Sequence, residues 1–564
     1  MHYPSTFIPL QFGTPGNDEP EASLDQPEIK GATAISQRHA DHEKCQLLAR
    51  LAYRMTLKSR DFWPELRGNS NQDDNEIIPA GYTYLAQFVA HDLVSNIAPV
   101  PNLDHLPDLA QRDFRSQRLI LDTLYGGGPA TNPSAFALRQ NRNKQRIYMR
   151  LGRVSVAERI RDTFNDHESS ILVDQPARDI PRTACPFLND NSSAAFTDAL
   201  VADPRNDDSL ILSQLTAVFH ELHNIVVDAT VPELRSGDSN LSDLHVYRHF
   251  LLTRKIVALV YRNIVVEDLL SRLLDRKIYK RYSKARNNPP APTVCTTLFG
   301  NDHGISRVPV EFSHAVFRFA HAIIRHRYTL NDELESREVV TTIHDILMRT
   351  SERNPDKTPL SCDWLVDWKH FFAMEKGFKP NFSRRIRPDV GAGTLATDTH
   401  FPNEHSVETG GLFYRDLIRG AEAGMQSVQD LVDKIPEDDR ARSNLLVCPN
   451  FRRKKIVDWL NAISFYKFNP DELDALSEDP PLYFFTLFEA AHDKSGERLG
   501  VLGSTIVAEV MFSALHSTQS IIEDDPLYRR LLSATHGRDS QGLQIVIHHG
   551  KLKEVFHGGS NPTS

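Results

Sequence analysis

Cysteine is scarce in this chain: Cys45, Cys185, Cys295, Cys362 and Cys448 are spread over 564 residues, with no CxxC pair among them. An odd number at wide spacing excludes a disulfide framework and a zinc knuckle, and it fits reduced thiols in a cytoplasmic setting. An excess of positive charge is also lacking. Lys and Arg total 65 against 74 Asp and Glu, a formal net charge of −9, which argues against an electrostatic nucleic-acid footprint. Long uncharged apolar runs are missing as well. The most apolar stretch, Phe250 to Leu270, carries Arg254, Lys255, Arg262, Glu267 and Asp268, too many charges for a bilayer span of about 20 apolar residues. The start, Met1-His2-Tyr3-Pro4-Ser5-Thr6-Phe7, has neither the basic opening nor the apolar core of a secretory signal, so export by that route is not expected. Finally, alternating apolar and polar residues are scarce, which leaves little room for half-buried strands.

What the chain does have is helical periodicity. Its length exceeds the roughly 250–300 residues at which single cores usually stop growing, so one large domain or two are both possible. Residues 1–40, rich in Pro, Gly, Asp, Glu and Ser, read as an irregular N-terminal extension. Beyond them, residues 41–58, 82–96, 208–229, 243–276, 311–327, 337–350, 411–434, 453–464 and 499–517 place apolar residues three and four apart. Pro-rich breaks near 97–107, 287–293, 354–359 and 478–481 separate these helices without the composition of a flexible linker. No internal repeat is present, and residues 41–564 read as one mainly α-helical body with little β structure.

Two motifs invite chemistry and are better read as structure. Tyr125-Gly126-Gly127-Gly128-Pro129 lacks the Lys-Ser/Thr of a phosphate loop and reads as a turn. In His220-Glu221-Leu222-His223 the histidines are three apart, whereas a zinc-protease helix needs them four apart, so a structural role is expected.

Three other stretches resist a purely structural reading. In Tyr84-Leu85-Ala86-Gln87-Phe88-Val89-Ala90-His91-Asp92, Gln87 and His91 lie four apart on one helical face, which pairs a proton carrier with a hydrogen-bonding amide. Asp203-Pro204-Arg205-Asn206-Asp207-Asp208 precedes a long apolar helix. Its acids suit a helix entrance, but Arg205 does not, and it requires either Asp203 or Asp207 as a partner or an anion developing in a site. In Glu311 to His326, His314, Arg318 and His321 fall on one helical side, and small residues flank both histidines. Spacing alone does not choose between His314 and His321.

Four blocks, Ala86–Asp92, Asp203–Asp207, Val316–His321 and Asp416-Leu417-Ile418-Arg419-Gly420, occur in the order found in the peroxidase–cyclooxygenase superfamily. Over roughly residues 80–515 the chain resembles these animal-type haem peroxidases, and most closely their bacterial members. The resemblance implies a helical domain with haem b between a distal and a proximal helix. It assigns His91 as distal histidine, Gln87 as its neighbour and Arg205 as distal arginine. It makes His321 the proximal iron ligand, in preference to His314, and Asp416 the acceptor for its ring, where the family commonly has Asn. Arg318 and Arg419 match residues near the haem propionates. The implied activity is reduction of hydrogen peroxide through a ferryl intermediate, with oxidation of an organic substrate or halide as in an oxidative-stress peroxidase. The alternatives are a haem-dependent oxygenase acting on a lipid or secondary metabolite, and a non-catalytic haem-binding protein.

The chain departs from the family in three places. Ala90 stands where an acid forms one haem ester. Asp208 aligns with the second ester position but is one carbon shorter than the usual Glu, and Ser209 stands where a sulfonium-forming Met can occur. Haem is therefore expected to be held without a covalent bond, or through at most one ester at Asp208. Asp92 and Asp122, with Ser116, match calcium ligands, but Ile120 replaces a further carboxylate, which weakens the site because calcium prefers six to eight oxygens. Arg318 replaces the radical-forming Tyr of the dioxygenase branches, which favours a peroxidase.

Overall fold

The computed structural model describes residues 30–58, 62–63, 73–94, 118–137, 146–157, 178–183, 198–230, 242–287, 298, 308–390 and 411–523. Ser116, Cys185, Cys295 and most of the Pro-rich stretches at 97–107 and 287–293 lie outside them. The chain divides into two units, Met1–Leu47 and Leu48–Ser564. Of the first, only the start of helix α1 (Lys30–Thr56) is described. Residues 30–40, expected to be irregular, are helical, because the run Gly31-Ala32-Thr33-Ala34-Ile35 has helix-forming alanines but no apolar stripe to announce it.

The second unit is helical with only short strand pairs among its described residues. Strand β1 (Asp74–Pro79) pairs antiparallel with β2 (Phe382–Arg384) and leads directly into α2 (Gly81–Leu93). Gly81 is required at this entry, since a Cβ there would lie 2.3 Å from the Phe372 ring and 2.7 Å from the Phe371 carbonyl oxygen. Along α2 nearly every residue is buried, and Gln87 and Ala90 are the partial exceptions. Helices α3 (Leu210–Thr230) and α4 (Asp243–Asn263) complete a three-helix cluster around Phe88, Phe219 and Tyr261. Phe88 stacks on Phe219 at 5.1 Å, and Tyr261 meets both edge-on. The segment Leu210–Asp228 is long and apolar enough to cross a membrane, and it lies mostly buried within the fold.

Several expected helices are broken where the backbone changes pitch. The stretch 243–276 is α-helical to Asn263, continues as a π-helix over Ile264–Leu270, and ends in a short turn before α5 (Arg276–Asn287). The stretch 311–327 is π-helical over Glu311–Ala315 and then 3₁₀ over Val316–Ile323. The stretch 411–434 divides into α6 (Leu412–Glu422) and α7 (Val428–Lys434) around Gly424, whose φ is +62°. The stretch 337–350 forms strand pairing at Thr341–Thr342 before a one-turn helix that Thr342 and Asp345 cap reciprocally.

After α8 (Pro449–Leu460) come two helices that periodicity did not announce, α9 (Pro470–Glu478) and α10 (Leu482–Lys494). Leu482 to Ala491 is buried on every side, so it has no polar stripe to produce a 3.6-residue pattern. It contacts α6, the 311–323 segment and α11 (Val501–Glu523). Glu489 on α10 accepts hydrogen bonds from Leu502 N at 2.8 Å and Gly503 N at 3.1 Å, satisfying amides at the start of α11.

Candidate active site

The His91 side is built from α2 and the 3₁₀ turn Pro204–Asp207. Asp203 fixes that turn by accepting from the Arg205 backbone N–H at 3.1 Å. Its carboxylate also takes Arg205 Nε at 3.0 Å and an Arg205 terminal nitrogen at 2.7 Å. The same terminal nitrogen donates to the backbone carbonyl of His91 at 3.0 Å, which ties the turn to α2. Of the two partners open to Arg205, the fold uses Asp203. Asp207 instead pairs with Arg182 at 2.6 Å, in a buried network with Asp179 and Ser351. Ser209 performs the capping, its hydroxyl accepting from Leu212 N at 3.3 Å.

His91 is 7% exposed, and its Nδ1 lies 3.1 Å from Asn206 Oδ1. Asn206 Nδ2 donates to the Thr123 carbonyl at 3.1 Å, which fixes the amide orientation and leaves Oδ1 as the acceptor. His91 therefore carries a proton on Nδ1, and Nε2 is the ring nitrogen turned toward Asp208. Asn206 was not singled out from sequence, since its partner is 115 residues away and no spacing rule connects them. Gln87 Nε2 reaches Asp208 Oδ2 at 3.5 Å, and His91 Nε2 lies 4.0 Å from the same oxygen, so Gln87, His91 and Asp208 converge. Burial raises the Asp208 carboxyl to about 7 against the pull of Arg353 and Arg205, although 39% of the side chain remains accessible.

The His321 side is built from the 3₁₀ segment and α6. His321 Nδ1 lies 2.6 Å from Asp416 Oδ2, and Arg318 donates to Asp416 Oδ1 at 3.0 Å and to the Ser313 carbonyl at 3.1 Å. Asp416 is fully buried. Burial opposes its ionisation, but the adjacent His321, Arg318 and Arg419 outweigh that and hold it below the usual carboxylate range. His321 thus gives Nδ1–H to an anion, on a side chain that is 30% accessible. His314 does not join this set. It bonds Ser313 Oγ at 2.8 Å, and burial with the nearby Arg318 and Arg419 pushes it down to about 4. The shared helical side expected for His314, Arg318 and His321 is lost where π pitch passes into 3₁₀ pitch beyond Ala315. Arg318 faces the buried aspartate, while Arg419 has an exposed guanidinium whose pKa is lowered by partial burial and by Arg318.

Of the expected calcium ligands, Asp92 and Asp122 lie among the described residues. Asp92 accepts from Leu121 N at 3.1 Å and Thr123 N at 3.2 Å, and Asp122 pairs with Arg254 at 2.9 Å. The loop 121–126 is thereby organised from within the protein. The two discounted motifs are structural. Gly126 and Gly128 take positive φ of 53° and 88° in a turn. His220 and His223 bond the carbonyls of Arg150 and Ile147, each at 2.8 Å, and burial pushes them down to about 4 and about 3.

Residues 154–365 match the sequence profile of the family described as "Animal haem peroxidase". That stretch includes Arg205, Asp208, Arg318 and His321, whereas Gln87, His91 and Asp416 lie outside it. Among solved structures, the chain is similar to peroxidase A from Dictyostelium discoideum, with a TM-score of 0.50 at 14% identity over 88% of this chain and 89% of that one. Fatty acid alpha-dioxygenases of Arabidopsis thaliana and Oryza sativa are also matched. Each has 14% identity and a TM-score of 0.47, covering 86% of this chain and 71% and 76% of theirs. No curated protein matches the sequence. The fold is shared with that of the Dictyostelium peroxidase. The family match takes in less than half of the chain. The residues present would fit a haem group: Asp416 engages His321 Nδ1, which leaves Nε2 as the ring nitrogen for a metal.

Proposed function

We propose that this protein is a haem peroxidase that consumes hydrogen peroxide and oxidises a second substrate, an organic compound or a halide. The observation that carries this reading is the pair of oriented imidazoles, His91 held at Nδ1 by Asn206 and His321 held at Nδ1 by Asp416. Haem bound through His321 supplies the iron that holds peroxide and accepts its oxidising equivalents.

The remaining work belongs to the protein. His91 Nε2 takes the proton from one peroxide oxygen and returns it to the other as the O–O bond breaks. Asn206 holds the Nδ1 proton throughout, so the basic lone pair stays on Nε2. Arg205 contributes a fixed cation beside His91, where negative charge develops on the departing oxygen, and its bonds to Asp203 and the His91 carbonyl keep it in place. Asp416 retains the proton at His321 Nδ1 by a charge-assisted bond and strengthens Nε2 as a donor. Arg419, exposed near this proximal group, is placed to meet an anionic edge of the cofactor. Arg318, at residue 318, supplies a cation where dioxygenase branches have a tyrosine, which supports peroxidase over oxygenase chemistry.

The test is an absorption spectrum of the purified chain, reconstituted with haem, before and after one equivalent of peroxide. A Soret band that shifts on peroxide addition and returns with a reducing substrate is expected. Steady oxygen uptake without peroxide would transfer the assignment to an oxygenase, and absence of any Soret band would end the haem reading.

A further inference from the structure

Asp208 is a carboxyl group that this reaction does not yet use. It follows the 3₁₀ turn carrying Arg205 and Asn206, and it projects toward α2. There its Oδ2 meets the Gln87 amide at 3.5 Å and His91 Nε2 at 4.0 Å. The nitrogen it approaches is the one the proposed function employs as a base. A carboxylate at that distance stabilises an imidazolium, and an imidazolium cannot accept the peroxide proton. A neutral carboxyl removes this effect and leaves His91 basic.

We propose that Asp208 is a positioning residue that sets the charge of His91 across the 4.0 Å Oδ2–Nε2 approach, and that it forms no covalent bond to the cofactor. This inference rests on the peroxidase reading of the same site. A charge on either group is felt by the other at that distance. The groups facing Asp208 set its own charge. Arg353 and Arg205 favour the carboxylate, Asp203 and Glu352 disfavour it, and burial outweighs them all to bring the carboxyl to about 7. Gln87 is the device that aims it, because the amide holds the oxygen that faces His91.

The experiment compares the full chain with Asp208→Asn and Asp208→Glu by infrared titration, by haem release on denaturation, and by the pH dependence of the reaction with hydrogen peroxide. Expected in the wild type is a protonated-carboxyl band that disappears as pH rises through about 7 and that Asp208→Asn lacks. Haem should separate from the denatured wild-type polypeptide. Removing the carboxylate should move the acid limb of the peroxide rate to lower pH by about one unit, the lower end of the usual effect of one opposite charge, and Asp208→Glu should restore it. Identical infrared titrations, an unmoved acid limb, or haem retained by the denatured wild type and lost from Asp208→Asn would each overturn the proposal. The infrared comparison needs no haem, so a chain that binds none would defeat the peroxidase reading while still reporting on Asp208.

Discussion

His91 gives its Nδ1 proton to a neutral amide, Asn206, at 3.1 Å, whereas His321 gives its own to a carboxylate, Asp416, at 2.6 Å. Both arrangements place a proton on Nδ1 and orient the ring, but they differ in charge. The amide orients its imidazole without adding charge, so His91 can change protonation state with modest driving force, as an acid–base group must. The buried anion, compensated by Arg318, polarises His321 permanently and makes its Nε2 the stronger donor, as a metal ligand should be. On the proposed function, one ring exchanges a proton and the other holds an electron-pair bond.

The largest test of this division removes each ring in turn. His321→Ala should abolish stoichiometric haem binding, read as loss of the Soret band after reconstitution with the fold intact by circular dichroism. His91→Ala should keep haem and slow the reaction with peroxide by about 10²–10⁴-fold, the usual contribution of general acid–base catalysis. A His91→Ala protein that reacts at the parental rate, or a His321→Ala protein that keeps its Soret band, would show that the two sides were assigned wrongly.

How much of this contrast was legible in the sequence depended on how local each piece was. Gln87, His91, Arg205, His321 and Asp416 stand in short blocks whose order carried the family resemblance, and the fold brings them to the two sides described. The choice between His314 and His321 was not legible from spacing. It depends on a π-to-3₁₀ transition that regular helical geometry does not anticipate, and that transition sends His314 to Ser313. Asn206 was invisible as a partner for the opposite reason: it stood inside a recognised block, yet its contact spans 115 residues. Helix α10 was missed because a helix buried all round has no amphipathic signal.

A subtler change makes the proximal side resemble the distal one. Asp416→Asn replaces the anion with an amide of nearly the same shape, so His321 keeps an acceptor but loses the charge. Partners of this kind typically contribute 10–100-fold to metal affinity, and haem affinity should fall by about that factor, measured by transfer of haem to a competing apoprotein. Because Arg318 would lose its carboxylate partner in the same substitution, Asp416→Asn combined with Arg318→Met separates the two effects. If affinity is unchanged in both, the buried charge is not what distinguishes the proximal ring.

The reciprocal change, Asn206→Asp, has the smallest expected effect and gives the sharpest test. It places a carboxylate on His91 Nδ1 and so gives the distal ring the proximal arrangement. An opposite charge in direct contact commonly raises an imidazole pKa by about 1–3 units, so the acid limb of the peroxide reaction should move to higher pH. The sign follows from the reactive form, which is neutral His91: a raised pKa keeps the ring protonated over a wider acidic range, and activity is lost there first. The substitution also removes the Asn206 Nδ2 bond to the Thr123 carbonyl, at a cost of about 0.5–1.5 kcal/mol in stability. Asn206→Ala serves as the control, since it releases the ring without adding charge and should lower the rate across the pH range while leaving the limb in place. Stopped-flow rates against pH for the three proteins would decide the matter. An unmoved limb in Asn206→Asp would mean that the neutrality of Asn206 is incidental, and that geometry alone separates the base from the ligand.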